Sequence, residues 1–428
     1  MSRIKVAWFL SALACIALVV TACGDDDEEG GGGPGGDVGE LQIGGLVPLT
    51  GDLSPFGPPG RKAADLGVQE LNKAAQAGGV DLNVKIEFEN TETKEQSAVS
   101  GARKLASGGS TCFIGPWASA ETLAVGKSVA TREEVPLVSP SSTSAEITGL
   151  RDEGFVNRVA PSDDIQAKAL AEQIGEKIGK DKNLSLAARN DAYGQGFINK
   201  FKEVWTAGGG RTTGPVLYDP EASSYDSEAG NIVEGNPDGY VIIDFPETYA
   251  KVGPALVRTG NFDPTKLYVA DGLASETVPE DKGVEANTLD GATGTRPGTP
   301  TEGEPAAPFG ELYKQASGPK ERGTFDAQNF DAVLLCGLAA VAAGSKEGRD
   351  ISAQLRNVSG PPGDKYSYLQ LADALKALKD GKDIDYTGVT GPVDLDENGD
   401  PTAATYELWA YRDKKLVVER QFPAEAER

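Results

Sequence analysis

Hydroxyls, one aspartate and a few aromatic rings lie directly after short apolar runs, where side chains can meet a ligand. "TCFIG" leads into Pro116, Trp117, Ala118 and Ser119, and "VPLVS" into Pro140, Ser141, Ser142 and Thr143. "LSLAAR" leads to "NDAYG" with Tyr193, "YVIID" to Phe245, and "KLYVA" to Asp271 and Gly272. A hydroxyl at a helix N-cap, beside free N–H groups, can hold a carboxylate. An aspartate at a matching position suits an ammonium. Together they point to a zwitterionic α-amino acid, with Trp117, Phe56 and Phe245 as apolar walls. Each residue also has a plain structural use: Ser119 as a helix cap, Ser141 and Thr143 in loops, Tyr193 in packing, Asp271 as a turn acid. The set carries the reading.

Other chemistries find no support. The 428 residues contain no histidine, which removes Ser-His-Asp and Cys-His catalysis and most catalytic zinc sites. With no nucleophile elbow or metal-ligand cluster, neither an enzyme, a cofactor nor a metal is expected. A formal charge of -24 disfavours nucleic acid and polybasic membrane contact. "DLDENGD", residues 394–400, resembles the start of a calcium loop, but the twelfth position is Thr405. Its Asn-Gly pair predicts a tight turn instead. "YGQG" near Tyr193 lacks the third glycine of a dinucleotide fingerprint.

The elements that must position these residues begin after an export signal. Arg3 and Lys5 precede an apolar run over 7–20, and Val20-Thr21-Ala22-Cys23 resembles a bacterial lipobox. The expected layout is a signal peptide over 1–22, a lipid on Cys23 anchoring the chain outside the cell membrane, and an acidic, Gly-rich linker over 23–40. Of the four cysteines, Cys15 lies in the signal. Cys112 and Cys336 are left as a disulfide or as two buried thiols.

From Leu41, strand-like and helix-like stretches alternate: "LQIGGLVPL", "RKAADLGVQELNKAA", "VKIEFEN", "EQSAVSGARKLAS" and onward. The rhythm restarts after "FVNRVAPSDD". This predicts an α/β fold with two doubly wound parallel-sheet lobes. Beyond Gly291, "GATGTRPGTPTEGEPAAP" reads as loop, followed by four helices and a terminal hairpin with strands.

"IGGLVPLTGDLSPFGPPGRKAADLGVQELN", "FIGPWASAETLA", "VPLVSPSSTSAEIT", "RNDAYGQGF", "KLYVADGL" and "YTGVTGPVDLDENGDP" occur in that order. From Leu41 onward the chain resembles the substrate-binding protein of a branched-chain amino acid ABC transporter, a type 1 periplasmic binding protein. The resemblance implies a flytrap of two lobes joined by three crossings, at 41–160 with 296–404 and at 161–295 with 405–428. It implies that Ser119 binds the ligand carboxylate and that Thr143 contributes its amide and hydroxyl. Ser141 would offer a carbonyl to the ammonium, Asp271 would pair with the ammonium, and Tyr193 would line the second lobe. Phe56 and Phe245 stand where relatives often carry tyrosines, and Trp117 and Ala118 would border the side-chain pocket. The helix carrying Cys336 packs against the first lobe in that family, which implies a Cys112–Cys336 disulfide. A monomer delivering an amino acid to a membrane permease is the implied function. An amide, urea, polyamine or aromatic acid as ligand, or a sensor role, is the alternative.

Overall fold

The computed structural model describes residues 35–275, 288–300, 302–318 and 322–425. The export signal, Cys15, Cys23 and most of the linker lie outside these residues.

The first sheet is built from β1 (Gly39–Val47), β2 (Leu82–Asn90), β3 (Cys112–Ile114), β4 (Leu137–Ser139) and β5 (Val156–Arg158), all parallel in the order β2-β1-β3-β4-β5. Parallel neighbours need a crossover, usually a helix. α1 (Gly57–Gly78) and α2 (Glu95–Ser107) make the first two crossovers. α3 (Ser119–Val125) runs through a π turn into α4 (Thr131–Glu133), and α5 (Ala145–Thr148) precedes β5. β3 and β4 are short and wholly buried, as expected of strands covered on both faces.

The pattern then repeats. α6 (Asp163–Ile178), β6 (Asn183–Arg189), α7 (Ala192–Ala207), β7 (Arg211–Tyr218), α8 (Asp226–Val233), β8 (Gly239–Ile243), α9 (Pro246–Arg258), β9 (Leu267–Val269) and β10 (Thr293–Pro297) follow in turn. Read from its β7 edge, the second sheet runs β7-β6-β8-β9-β10, the same winding as the first. After β10 the chain returns to the first lobe as α10 (Ala306–Ser317), α11 (Asp326–Ala343), α12 (Gly348–Ser359), β11 (Asp364–Tyr366), α13 (Leu371–Lys379), β12 (Ile384–Gly388) and β13 (Gly391–Pro392). It crosses once more into the antiparallel hairpin β14 (Ala403–Arg412) and β15 (Lys415–Glu425), which extends the second sheet beyond β10.

The crossings are therefore three: β5 to α6, β10 to α10 and β13 to β14. β10 pairs with β14 from Thr293↔Ala410 to Pro297↔Tyr406. The lobe limits expected at 295/296 and 404/405 thus run through two paired strands.

Every residue of α11 is buried, and it forms the centre of the larger core with Leu41, Ile43 and Ile114 of the first sheet. Among the described residues no single helix is long and apolar enough to cross a membrane. Cys112 on β3 and Cys336 on α11 are joined by a disulfide, with Cα atoms 6.2 Å apart.

Two departures from the sequence reading have simple causes. The stretch after Gly291, read as loop, contains β10, whose Gly, Thr and Pro content hides a strand paired on both sides. β7 went unread because Gly214–Pro215 interrupts it, and an edge strand tolerates proline. Residues 394–400 close as a turn. Asp396 Oδ1 accepts from Asn398 N–H (2.8 Å) and Asp400 N–H (3.0 Å), with Gly399 at φ +74°.

Candidate functional site

In doubly wound sheets the carboxyl ends of the strands open onto the ligand crevice. Here such ends from both lobes meet around one small cavity of about 20 Å³. Phe56, Trp117, Ser119, Ser141, Tyr193, Phe245 and Asp271 line it, joined by Leu53, Gly272 and Phe325. Seven of the nine expected residues thus meet. Ala118 and Thr143 are buried but do not line the cavity. Its volume is on the scale of one water, so a solute of amino-acid size enters only when the walls separate.

On the first lobe, two loops are stitched together by hydroxyls. Ser139 Oγ donates to Pro116 O (2.6 Å), Ser141 Oγ donates to Trp117 O (2.8 Å), and Ser142 Oγ bonds Thr122 Oγ1 (2.8 Å). The N-cap of α3 is Ala118, whose N–H donates to Glu121 Oε2 (3.2 Å). Ser119 is therefore the first helical residue, one position past the expected cap. Its Oγ accepts from Ser144 N–H (3.2 Å), which leaves its own proton for another acceptor. Arg158, fully buried, grips Asp400 through two nitrogens (2.5 and 2.7 Å) and donates to the carbonyls of Ser142 (3.2 Å) and Ser144 (2.9 Å). The 394–400 turn thereby braces the hydroxyl loop. Trp117 packs against α1, where a Cβ on Gly60 would lie 2.2 Å from its Cζ2.

On the second lobe, Asp271 is buried at the end of β9. Tyr193 donates its hydroxyl to Asp271 Oδ1 (3.1 Å) and accepts from Gly272 N–H (3.1 Å). Burial pushes the Asp271 carboxyl up to about 6, against the opposing pull of the Tyr193 hydroxyl and the Gln166 amide. Gly272 is required here, because a Cβ would sit 2.5 Å from Asp244 O and 3.0 Å from the Phe245 and Tyr193 rings. Tyr193 stacks on Phe245 (5.1 Å, 12° between planes), and the Arg189 guanidinium lies 3.8 Å from the Phe245 ring centre.

Arg189 also joins the lobes. Its Nη2 meets Asp52 Oδ2 (2.9 Å) from the loop after β1, and its Nε meets Asp191 Oδ2 (2.5 Å). Asp244 stands 3.7 Å away, and burial raises that carboxyl to about 7 despite the arginine. Thr248 Oγ1 donates to Asp52 Oδ2 (3.2 Å), and Ser54 Oγ donates to Glu247 Oε1 (2.9 Å), both across the cleft.

Leu53, Phe325 and Arg189 escaped the sequence reading. Phe325 caps α11 with a left-handed backbone (φ +66°) and follows no parallel strand, so the strand-end rule cannot find it. Arg189 closes β6, where the rule applies, but a lone arginine amid "LAARND" gives no further signal.

Among the described residues no group of three or more His, Cys, Asp or Glu is arranged to hold a metal. Two larger grooves, of about 580 and 840 Å³, lie along α6 and contain none of the expected residues.

Residues 40–367 match the family described as periplasmic binding protein. The Leu/Ile/Val-binding protein BraC3 of Rhizobium johnstonii is 24% identical over 382 residues, covering 89% of this chain and 94% of that protein. The branched-chain amino acid transporter substrate-binding protein LivJ of Streptococcus pneumoniae, solved with isoleucine, superposes with a TM-score of 0.72 at 21% identity, covering 90% of this chain and all of that one. A solute-binding protein of an R. palustris ABC transporter, solved with benzoate, gives 0.67 at 18% identity, covering 91% and 98%.

Proposed function

This chain belongs to the periplasmic binding protein family, and on that premise we propose that it captures an α-amino acid, branched-chain or otherwise apolar, and hands it to an ABC permease. It acts outside the cell membrane as a monomer held by a lipid on Cys23, and it turns nothing over. The lobes, taken as 41–160 with 296–404 and 161–295 with 405–428, part to admit the solute and close on it.

The observation that carries this reading is the buried Asp271, held by Tyr193 in a cavity whose other wall carries Ser119. In this reading Asp271 receives the ammonium, and Ser119 with Thr143 receives the carboxylate. Ser141 offers its carbonyl, while Phe56, Trp117, Ala118, Tyr193 and Phe245 enclose the side chain. A buried carboxylate facing apolar rings is costly without a cation, and an ammonium supplies one.

A second reading, an aromatic acid, draws on the rings of Phe56, Trp117, Tyr193, Phe245 and Phe325 around the cavity and on the benzoate-bound relative. A thermal-shift screen separates the two. A bound ligand stabilises the folded chain by linkage, by about 2.7 kcal/mol at 100 times Kd, and so raises the melting temperature. L-Leucine or L-isoleucine should raise it and benzoate should not. The reverse outcome overturns the amino-acid reading.

A further inference from the structure

The bridge between the lobes is one guanidinium shared by three acids. Arg189, at the end of β6, is buried. Two of its acids belong to its own lobe. Asp191, the N-cap of α7, meets Nε (2.5 Å), and its other oxygen accepts from Gly194 N–H (2.9 Å), which fixes it in place. Asp244, directly after β8, stands 3.7 Å from Nη1. The third acid, Asp52, comes from the loop after β1 in the other lobe and meets Nη2 at 2.9 Å.

The second lobe by itself thus sets two carboxylates against one guanidinium. Asp52 brings a further negative charge into that surplus, and like charges so placed disfavour one another. Nη1 is loosely held, with Thr248 Oγ1 at 3.5 Å and Asp244 at 3.7 Å. Thr248 passes its own proton to Asp52 Oδ2 (3.2 Å). Arg189 therefore has room to lean either way: toward Asp52 across the cleft, or toward Asp244 behind it.

Of the three acids, Asp244 is the one built to lose its charge. Its side chain is wholly enclosed, and it accepts from Phe245 N–H (2.8 Å) and the Tyr218 hydroxyl (2.9 Å). The titratable and charged groups facing it are Arg189 on β6, Tyr218 on β7, Asp52 beyond β1, Tyr225 before α8 and Tyr249 on α9, and Asp191 shares Arg189 with it. Burial raises all three tyrosines, so none adds charge near neutral pH. Burial foremost holds the Asp244 carboxyl at about 7, with Arg189 pulling it down and Asp52 pushing it up. When the lobes part, Asp52 withdraws with its loop, and an ionised Asp244 becomes the partner left for Nη1. The charged form of Asp244 supports the open arrangement, and the neutral form supports the closed one.

We propose that Asp244 is a positioning residue that competes with Asp52 for Arg189 and so sets the balance between open and closed lobes, a proton on Asp244 tipping it toward closure. This rests on the reading that the lobes close on a solute, and not on which solute it is. On closing, a proton from the buffer bonds to a carboxylate oxygen of Asp244, no other covalent bond changes, and Asp52 takes over the charge of the guanidinium. The closed form then holds more protons than the open one, so closure gains as pH falls from 8 toward 7. Asp271, held at about 6, stays mostly ionised in that window.

The test is calorimetric titration of L-isoleucine, and separately of benzoate, into the full chain at pH 8 and pH 7, in buffers of different ionisation heat. At pH 8 Asp244→Asn should bind at least about threefold more tightly than the wild type. Asp52→Asn should bind more weakly, and adding Asp244→Asn to it should change nothing. A residue that only supports the fold would weaken binding when altered, with or without Asp52. At pH 7 the wild type should take up part of a proton per ligand that Asp52→Asn does not. Equal or weaker binding by a folded Asp244→Asn overturns the proposal. Should that variant fail to fold, equal proton counts in the wild type and Asp52→Asn overturn it. If benzoate alone binds, the amino-acid reading fails while the same comparison, run with benzoate, still decides this one. If neither binds, solute capture falls, and this proposal with it.

Discussion

Asp271 accepts from the Tyr193 hydroxyl at 3.1 Å and lines the cavity. Truncating it removes a charge-assisted bond of roughly 1.5–3 kcal/mol and leaves the ligand ammonium buried and unpaired. Asp271→Ala should therefore weaken amino-acid binding by at least about 100-fold, as read by titration calorimetry. Ser119→Ala should cost nearer tenfold, because the loop amides around it stay in place. Wild-type affinity in Asp271→Ala would remove the amino acid from consideration. At this scale the residues legible in the sequence share one property. Trp117, Ser119, Ser141, Tyr193, Phe245 and Asp271 each follow a parallel strand, and the fold class alone sends such residues to the crevice. Phe325 also lines the cavity. It arrives from a helix start in the far half of the chain, where spacing within the sequence carries no such instruction.

The elements are fastened by links between segments far apart in the chain. Cys112 and Cys336 are 224 residues apart and tie a central strand to the wholly buried α11. Closing so long a loop restricts the unfolded chain, and such links contribute about 2–5 kcal/mol. The paired Cys112→Ser, Cys336→Ser variant should accordingly unfold at lower denaturant with little change in ligand affinity, since neither residue lines the cavity. An unchanged denaturation midpoint would mean the bond does not form in the protein. From the sequence, this pair stayed open between a disulfide and two thiols, because both cysteines sit among apolar neighbours. Elements with clean periodicity were readable. α2 spans Glu95–Ser107 and β6 spans Asn183–Arg189, the limits their hydrophobic patterns mark. β10 was not readable, because its strand character comes from β9 and β14 on either side rather than from its own residues.

Taken as a whole, the molecule buries several acids. Burial raises Glu121 to about 8, Asp244 to about 7 and Asp271 to about 6, and it raises Asp163 and Asp331 as well. Between about pH 4 and pH 8 the folded chain therefore holds protons that the unfolded chain has released. Stability is fully present at the low end of that window and is lost as pH rises through 6–8. Asp37, Glu134 and Asp226 are shifted the other way but lie exposed, where solvent screens them. Self-repulsion from a formal charge of -24 acts in the same direction as the buried acids. The melting temperature should thus be higher at pH 5 than at pH 8, and a rise across that interval would contradict the buried-acid account. The Asp52–Arg189 bridge has a kinetic consequence of its own. It forms between the two halves only once they have come together, so it cannot hasten the first encounter with a solute. It lengthens the stay of a solute already enclosed, because the halves must break it to part. Asp52 is partly exposed, so dissolved ions weaken the bridge. A saline surrounding would then shorten the time each captured molecule is held while leaving the rate of capture nearly untouched.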